Sequence, residues 1–181
     1  MKQVILFGTA GLTAAYAVEN ILKKTNNNKL PIIVTAPTGG VGSLSVFFLK
    51  KFGFKVAVLT RDNKSIEYLK KLKINEIISI KNFLNKYKLP LGKIKYSSAI
   101  DNIGGQIVSP ILSQLDKNGL FISIGNVLND NASISILPFI LRGIKLNGLN
   151  TESLTNRMRN KLINKYLIMI TYKITKNLST E

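Results

Sequence analysis

The sequence predicts an α/β fold, a single domain built on a doubly wound parallel sheet, from two observations. Strand-like and helix-like segments alternate from residue 30 onward, and the first strand passes through a glycine-rich turn directly into an amphipathic helix. Leu30 to Thr35 reads as a fully buried strand and Val56 to Thr60 as a second. Between them Val41, Leu44, Phe48 and Phe52 recur at helical spacing and lay an apolar stripe on the sheet, and Gly53 ends that helix. A helical stretch follows around Ile66 to Leu72, then strands at Glu76 to Ile80, Ser97 to Asp101, Leu120 to Ile124 and Ile144 to Leu149. Ahead of them, Leu12, Ala15, Val18 and Leu22 share one helix face, and Thr25 to Asn28 forms a polar turn. The expected organisation is a leading helix over residues 1–24, the sheet domain over 25–151 and a C-terminal helical segment over 152–181.

Composition narrows the chemistry. The 181 residues are 45% hydrophobic, enough for a buried core without cross-links. Cysteine and histidine are both absent, which removes disulfides, thiol nucleophiles, Cys-bearing zinc sites and the usual acid-base residue near neutrality. No metal site is expected. Lys and Arg number 26 against 9 acidic residues, a net +17. The lysines are spread in ones and twos, arginine is scarce, and no aromatic-basic interleaving marks a stacking groove. The charge is therefore read as compositional, alongside rich Asn and Ile usage, and no specific nucleic-acid partner is expected. The apolar run at Val4 to Phe7 is too short for a signal peptide, and Tyr166 to Tyr172 falls far below the ~20 residues that span a bilayer. A cytoplasmic protein without a membrane partner is the expectation.

The turn Thr35-Ala36-Pro37-Thr38-Gly39-Gly40-Val41-Gly42-Ser43 carries the functional signal. A pyrophosphate needs backbone N–H groups aimed at it, no Cβ in the way and the positive end of a helix dipole behind it. Gly39 and Gly40 allow close backbone approach, and Gly42 lets the helix sit tightly on the strand. The context of strand, glycine turn and helix points to a Rossmann-type dinucleotide site, although Ala36 takes the first fingerprint position and no P-loop lysine follows. Cofactor choice is read at the end of the next strand. There Thr60-Arg61 offers a hydroxyl and a guanidinium suited to a 2′-phosphate, which favours NADPH, with Asp62 as the discordant neighbour.

Several motifs then occur in order: Gly8-Thr9-Ala10-Gly11-Leu12-Thr13-Ala14, the glycine turn, Glu67-Tyr68-Leu69-Lys70, Ala99-Ile100-Asp101 and Pro138-Phe139-Ile140-Leu141-Arg142-Gly143. Together they resemble the quinone-oxidoreductase branch of the zinc-free medium-chain dehydrogenase/reductases, and most closely its acrylyl-CoA reductase subgroup, over roughly residues 5 to 151. The resemblance implies hydride transfer from NADPH to an activated carbon-carbon double bond of a small enoyl-CoA or quinone-like substrate. It implies that Gly39, Gly40, Val41 and Gly42 hold the pyrophosphate, that Thr38 beside them is also cofactor-binding, and that Thr60 and Arg61 take the 2′-phosphate. Asn126 and Ile140 would lie toward the nicotinamide, with a turn role for Asn126 and a core role for Ile140 as alternatives. The Thr9-Ala10-Gly11 turn would approach the same end, or simply start a helix. In that family a GroES-like catalytic domain precedes the cofactor domain, so the chain is expected to be truncated and completed by a separate catalytic chain, and a homodimer through the sheet edge is implied. No catalytic residue is singled out. A non-catalytic nucleotide-binding module and a decayed remnant are the competing readings. Thr60 and Leu59 replace the subgroup's glycine and serine, Asn150 an aspartate, and Pro110 enters an expected helix where it would shorten or kink it.

Overall fold

The computed structural model describes residues 2–24, 29–61, 64–86 and 89–178, with side chains left out for residues 2–7, 64 and 171–178. Six strands, β1 (Ile32–Thr35), β2 (Val56–Thr60), β3 (Glu76–Ser79), β4 (Tyr96–Asp101), β5 (Leu115–Ser123) and β6 (Lys145–Gly148), form one parallel sheet in the order β3-β2-β1-β4-β5-β6. The order reverses between β1 and β4. That is the doubly wound arrangement expected from the alternation of strands and helices.

Alternation along each strand explains why the sheet is covered on both faces. Ile32 and Val34, Val56 and Val58, Ile100, and Leu120 and Ile122 face one core layer. Ile33, Ala57 and Leu59, Ala99, and Phe121 face the other. With apolar side chains on both sides, these segments read as continuous hydrophobic runs. Helices α1 (Lys2–Lys24), α2 (Gly40–Lys51) and α7 (Asn156–Leu178) cover the first face. The second is covered by α4 (Ile80–Lys86), a short 3-10 turn at Gly105–Ile107 and α5 (Val108–Leu112). Helix α3 (Lys64–Lys71) follows β2, and α6 (Leu137–Arg142) precedes β6.

The last helix is fixed by a mixed aromatic and ionic clamp. Tyr166 is fully buried, edge-on to Phe48 at 4.8 Å between ring centroids and to Phe52 at 5.7 Å. Its hydroxyl donates to the Glu19 carboxylate at 3.1 Å, and Lys165 bridges the same oxygen at 2.7 Å. Burial alone would raise the Glu19 pKa, but Lys165, Tyr166 and Lys23 together outweigh it and hold the carboxyl below its ordinary value. Burial, and then the Glu19 charge, push the Tyr166 phenol up.

Three departures from the sequence reading have local causes. Ile80 leaves β3 and starts α4, burying itself and Phe83 against the second core layer. β5 begins at Leu115, five residues earlier than the apolar run, because Leu115 pairs with Tyr96 before a bulge at which Asn118 turns to φ +58°. Pro110 does shorten its helix: α5 has five residues, and the Pro110 carbonyl accepts from the Ser113 hydroxyl at 2.9 Å and the Gln114 amide at 2.9 Å.

Candidate functional site

The site lies at the carboxyl ends of the strands, where β1 and β4 diverge into connections of opposite direction. β1 ends at Thr35, and Ala36 takes a left-handed φ of +48° to turn the chain. The Gly39 N–H closes the turn on the Ala36 carbonyl at 3.1 Å, and α2 then starts at Gly40. A Cβ on Gly42 would fall 2.1 Å from the Ala36 oxygen and 2.8 Å from its carbonyl carbon, so only glycine lets α2 fold back on the turn. Gly40 faces α1, where an added Cβ would sit 3.3 Å from that of Ala10. Thr38, Gly39 and Gly40 are exposed at the mouth of the turn, while Val41 is half-buried and Gly42 buried.

Beside the turn lies a cavity of about 160 Å³ that brings together Thr38, Thr60 and Arg61. Ala36 and Leu59 line it from the β1 and β2 ends, Ser65 from the first turn of α3, and Val127 from the connection after β5. Thr60 is buried and Arg61 exposed, so one presents a hydroxyl within the cavity wall and the other a cation at its rim. Asp62 lies outside the described residues. Asn126 is exposed next to Val127, and its Cα stands 3.2 Å from where a Gly104 Cβ would be, which places it across the crevice at the end of β4.

Ile140 is not brought to this cavity. It is 68% exposed on α6, so it is not a core residue either, and it stands beside exposed Ile136 and Leu141. Arg142, in the same string, donates to the carbonyls of Ser113 at 2.8 Å, Leu115 at 3.1 Å and Gly92 at 2.5 Å, while Gly143 takes φ +61° to cap α6. That string therefore pins α6 to the start of β5 and the segment at Gly92. Thr9 lies inside α1, one residue past a kink at Gly8 (φ 28°, ψ −160°), and lines a second cavity of about 290 Å³ with Gly8, Thr151 and Arg159. Asn150 accepts the Glu152 N–H at 2.9 Å through its side-chain oxygen.

Beneath the crevice runs a polar lock that the sequence reading missed. The Asp101 carboxylate is fully buried and accepts the Thr35 hydroxyl at 2.8 Å and the N–H groups of Ile103 at 3.1 Å and Gly104 at 3.0 Å. Asn102 donates its N–H to the Thr35 hydroxyl oxygen at 2.7 Å and its amide to the Thr35 carbonyl at 2.8 Å. Burial raises the Asp101 pKa, and the Thr35 and backbone hydrogen bonds offset part of that rise. The only sequence signal was a polar residue ending each of two buried strands.

A parallel sheet of this order, with a glycine turn and helix start at its switch point, defines the nucleotide-binding class of doubly wound α/β fold. The chain belongs to the zinc-binding dehydrogenase family, which it matches over residues 40–166. It is 32% identical over 152 residues to a putative quinone oxidoreductase, YhfP, of Bacillus subtilis, covering 83% of this chain and 46% of that protein. It is 29% identical to a probable acrylyl-CoA reductase, AcuI, of Escherichia coli, again covering 83% of this chain and 46% of the other. Among solved structures, the yhdH oxidoreductase of Salmonella enterica in complex with NADP aligns at a TM-score of 0.84 and 28% identity, covering 91% of this chain and 50% of that one. Bacillus subtilis yhfP with NAD bound aligns at 0.86 and 28%, covering 93% and 51%. The chain thus spans about half the length of the relatives it matches.

The family description names zinc, but the residues here do not fit that ion. The chain has no Cys or His, and among the described residues no three acidic side chains cluster as a ligand set. No helix among the described residues is long and apolar enough to cross a membrane.

Proposed function

We propose that this chain is the NADPH-binding part of a reductase that transfers hydride to an activated carbon-carbon double bond of a small enoyl-CoA or quinone-like substrate. The observation that carries the reading is the cavity joining Thr38, Thr60 and Arg61, set beside a turn whose Gly42 has no room for a Cβ. NADPH would supply the hydride. Gly39, Gly40, Val41 and Gly42 would present the backbone N–H groups and helix start to the pyrophosphate. Arg61 would pair with the 2′-phosphate at the cavity rim and Thr60 would add a hydroxyl, a combination an NAD site with an acidic residue there lacks. Asn126 would contact the cofactor from the opposite wall. Support for NADPH also comes from relatives solved with NADP and NADPH, while the NAD bound to yhfP makes the preference a point to measure.

The exposed side chains of Ile136 at the N-cap of α6, Ile140 and Leu141 within it, and Leu146 on β6, an edge strand, support a homodimer through this edge. Activity is tested by following NADPH oxidation with acrylyl-CoA, first with this chain alone and then with a GroES-like catalytic domain added as a second chain. Turnover only with the second chain fits a divided enzyme. Tight NADPH binding with no turnover in either case would leave a nucleotide-binding module and contradict the reductase reading.

A further inference from the structure

Between α2 and α3, reaching down to buried Val46 of the first core layer, lies a cleft of about 400 Å³ that shares no residue with the nucleotide cavity. Val46, Phe47, Tyr68 and Leu72 supply its apolar lining, and Lys50 and Lys51 are its charged residues. Ser43 closes one end, a turn into α2 from the glycine turn. The volume falls in the range of small-molecule sites, about 300–1,000 Å³, which are apolar with a few placed polar groups.

Two features separate this cleft from ordinary surface. Tyr68 leaves half of its side chain, 51%, in water at the cleft wall, although Leu69 beside it is fully buried. Both ammonium groups are held close by: Lys50 donates to the Lys73 carbonyl, and Lys51 stands 5.7 Å from the centre of the Phe47 ring. Among the described residues, no acidic side chain lines the cleft. An apolar slot with two held lysine ammonium groups beside it is complementary to a ligand that carries a tail and one negative charge.

We propose that the cleft between α2 and α3 binds an anionic amphiphile, a monocarboxylate with a medium-length apolar tail. The tail lies against Phe47, Tyr68, Val46 and Leu72, and the carboxylate sits at Lys50 and Lys51. Apolar contact supplies most of the affinity, and the lysines select the charged head over a neutral one. The site does not depend on the nucleotide reading, since the two sets of lining residues are disjoint.

Calorimetric titration of the full chain with decanoate tests this, alongside neutral decanamide and tail-less acetate. The expected result is saturable 1:1 binding of decanoate with a Kd on the order of 100 µM. Decanamide should bind about tenfold more weakly and acetate should give no saturable heat. Lys50→Gln/Lys51→Gln and, separately, Tyr68→Ala should each weaken decanoate about tenfold, with unchanged thermal transitions confirming the fold. The ligand comparison needs no variant, so a misfolded mutant does not spare the proposal. Absence of saturable decanoate binding overturns it, as does equal affinity for decanamide or indifference to both sets of substitutions.

Discussion

The Thr35 hydroxyl, at the end of β1, donates to the buried Asp101 carboxylate at the end of β4 across 2.8 Å, and accepts the Asn102 N–H at 2.7 Å. These contacts join the two strands between which the crevice opens. Thr35→Val keeps the shape and removes the hydroxyl, leaving a buried carboxylate and an N–H short of a partner. The expected cost is about 2–4 kcal/mol in chemical unfolding, with a weaker NADPH complex because Ala36 follows directly. A loss under 0.5 kcal/mol would show that the lock is not a structural element.

Asp101 and Glu19 respond to acid in opposite senses. The Asp101 pKa is raised in the folded state, so between its ordinary 3.8 and the raised value the folded form holds more proton and stability falls as pH rises. The Glu19 pKa is lowered, so its contribution is present above the ordinary 4.5 and is lost as pH falls through the folded value. Lys165 is about a third exposed, which limits the Glu19 contribution to about 1 kcal/mol. Glu19→Gln should therefore lower the thermal midpoint at pH 7 by ~2–4 °C and narrow its gap to wild type below pH 4. A gap that persists unchanged at low pH would remove Glu19 as its cause.

Ala36 adopts φ +48°, a conformation that costs a residue with a Cβ roughly 1–2 kcal/mol. Ala36→Gly relieves it against an unfolded-state entropy of about 0.4–1 kcal/mol, so the variant should be as stable as wild type or up to about 1 kcal/mol more stable. Marked destabilisation in urea melts would mean that the methyl group, half-buried at the cavity, contributes packing beyond this balance.

Gly42 should tolerate nothing larger. Gly42→Ala places a Cβ 2.1 Å from the Ala36 oxygen, a backbone atom that yields only by moving the turn. The expected loss is about 1–3 kcal/mol, with NADPH binding falling below detection. Near-native affinity in this variant would show that the turn does not carry the pyrophosphate.

The layered fold was legible because each strand is apolar on both faces, as at Val56 to Thr60, so strand positions survived without any pairing information. Helices of six or seven residues were not: α4 buries only Ile80 and Phe83, and α6 buries only Pro138, too few positions to show a period. In the site, the glycine turn and Thr60-Arg61 were readable because each is local to one strand end. The Thr35–Asp101 contact spans 66 residues, and nothing in either neighbourhood announces the other. Arg142 lay in a recognised string, yet its three carbonyl partners come from two distant segments, so its role as a fastener emerges only in three dimensions. Ile140 shows the reverse limit, since an isoleucine in a motif carries no mark of whether it points inward or out.

In the proposed reading, the Arg61 end of the cavity selects NADPH. The fluorescence of the reduced nicotinamide itself reports binding, because it is excited and emits well to the red of the protein's tyrosines, and the chain has no tryptophan. Titrating NADPH and NADH against wild type and Arg61→Ala should give saturable NADPH binding, weaker NADH binding, and a loss of about 10- to 100-fold for NADPH alone in the variant. Absence of saturable NADPH binding by the wild-type chain, or equal affinities for the two nucleotides unaffected by Arg61→Ala, would contradict the account.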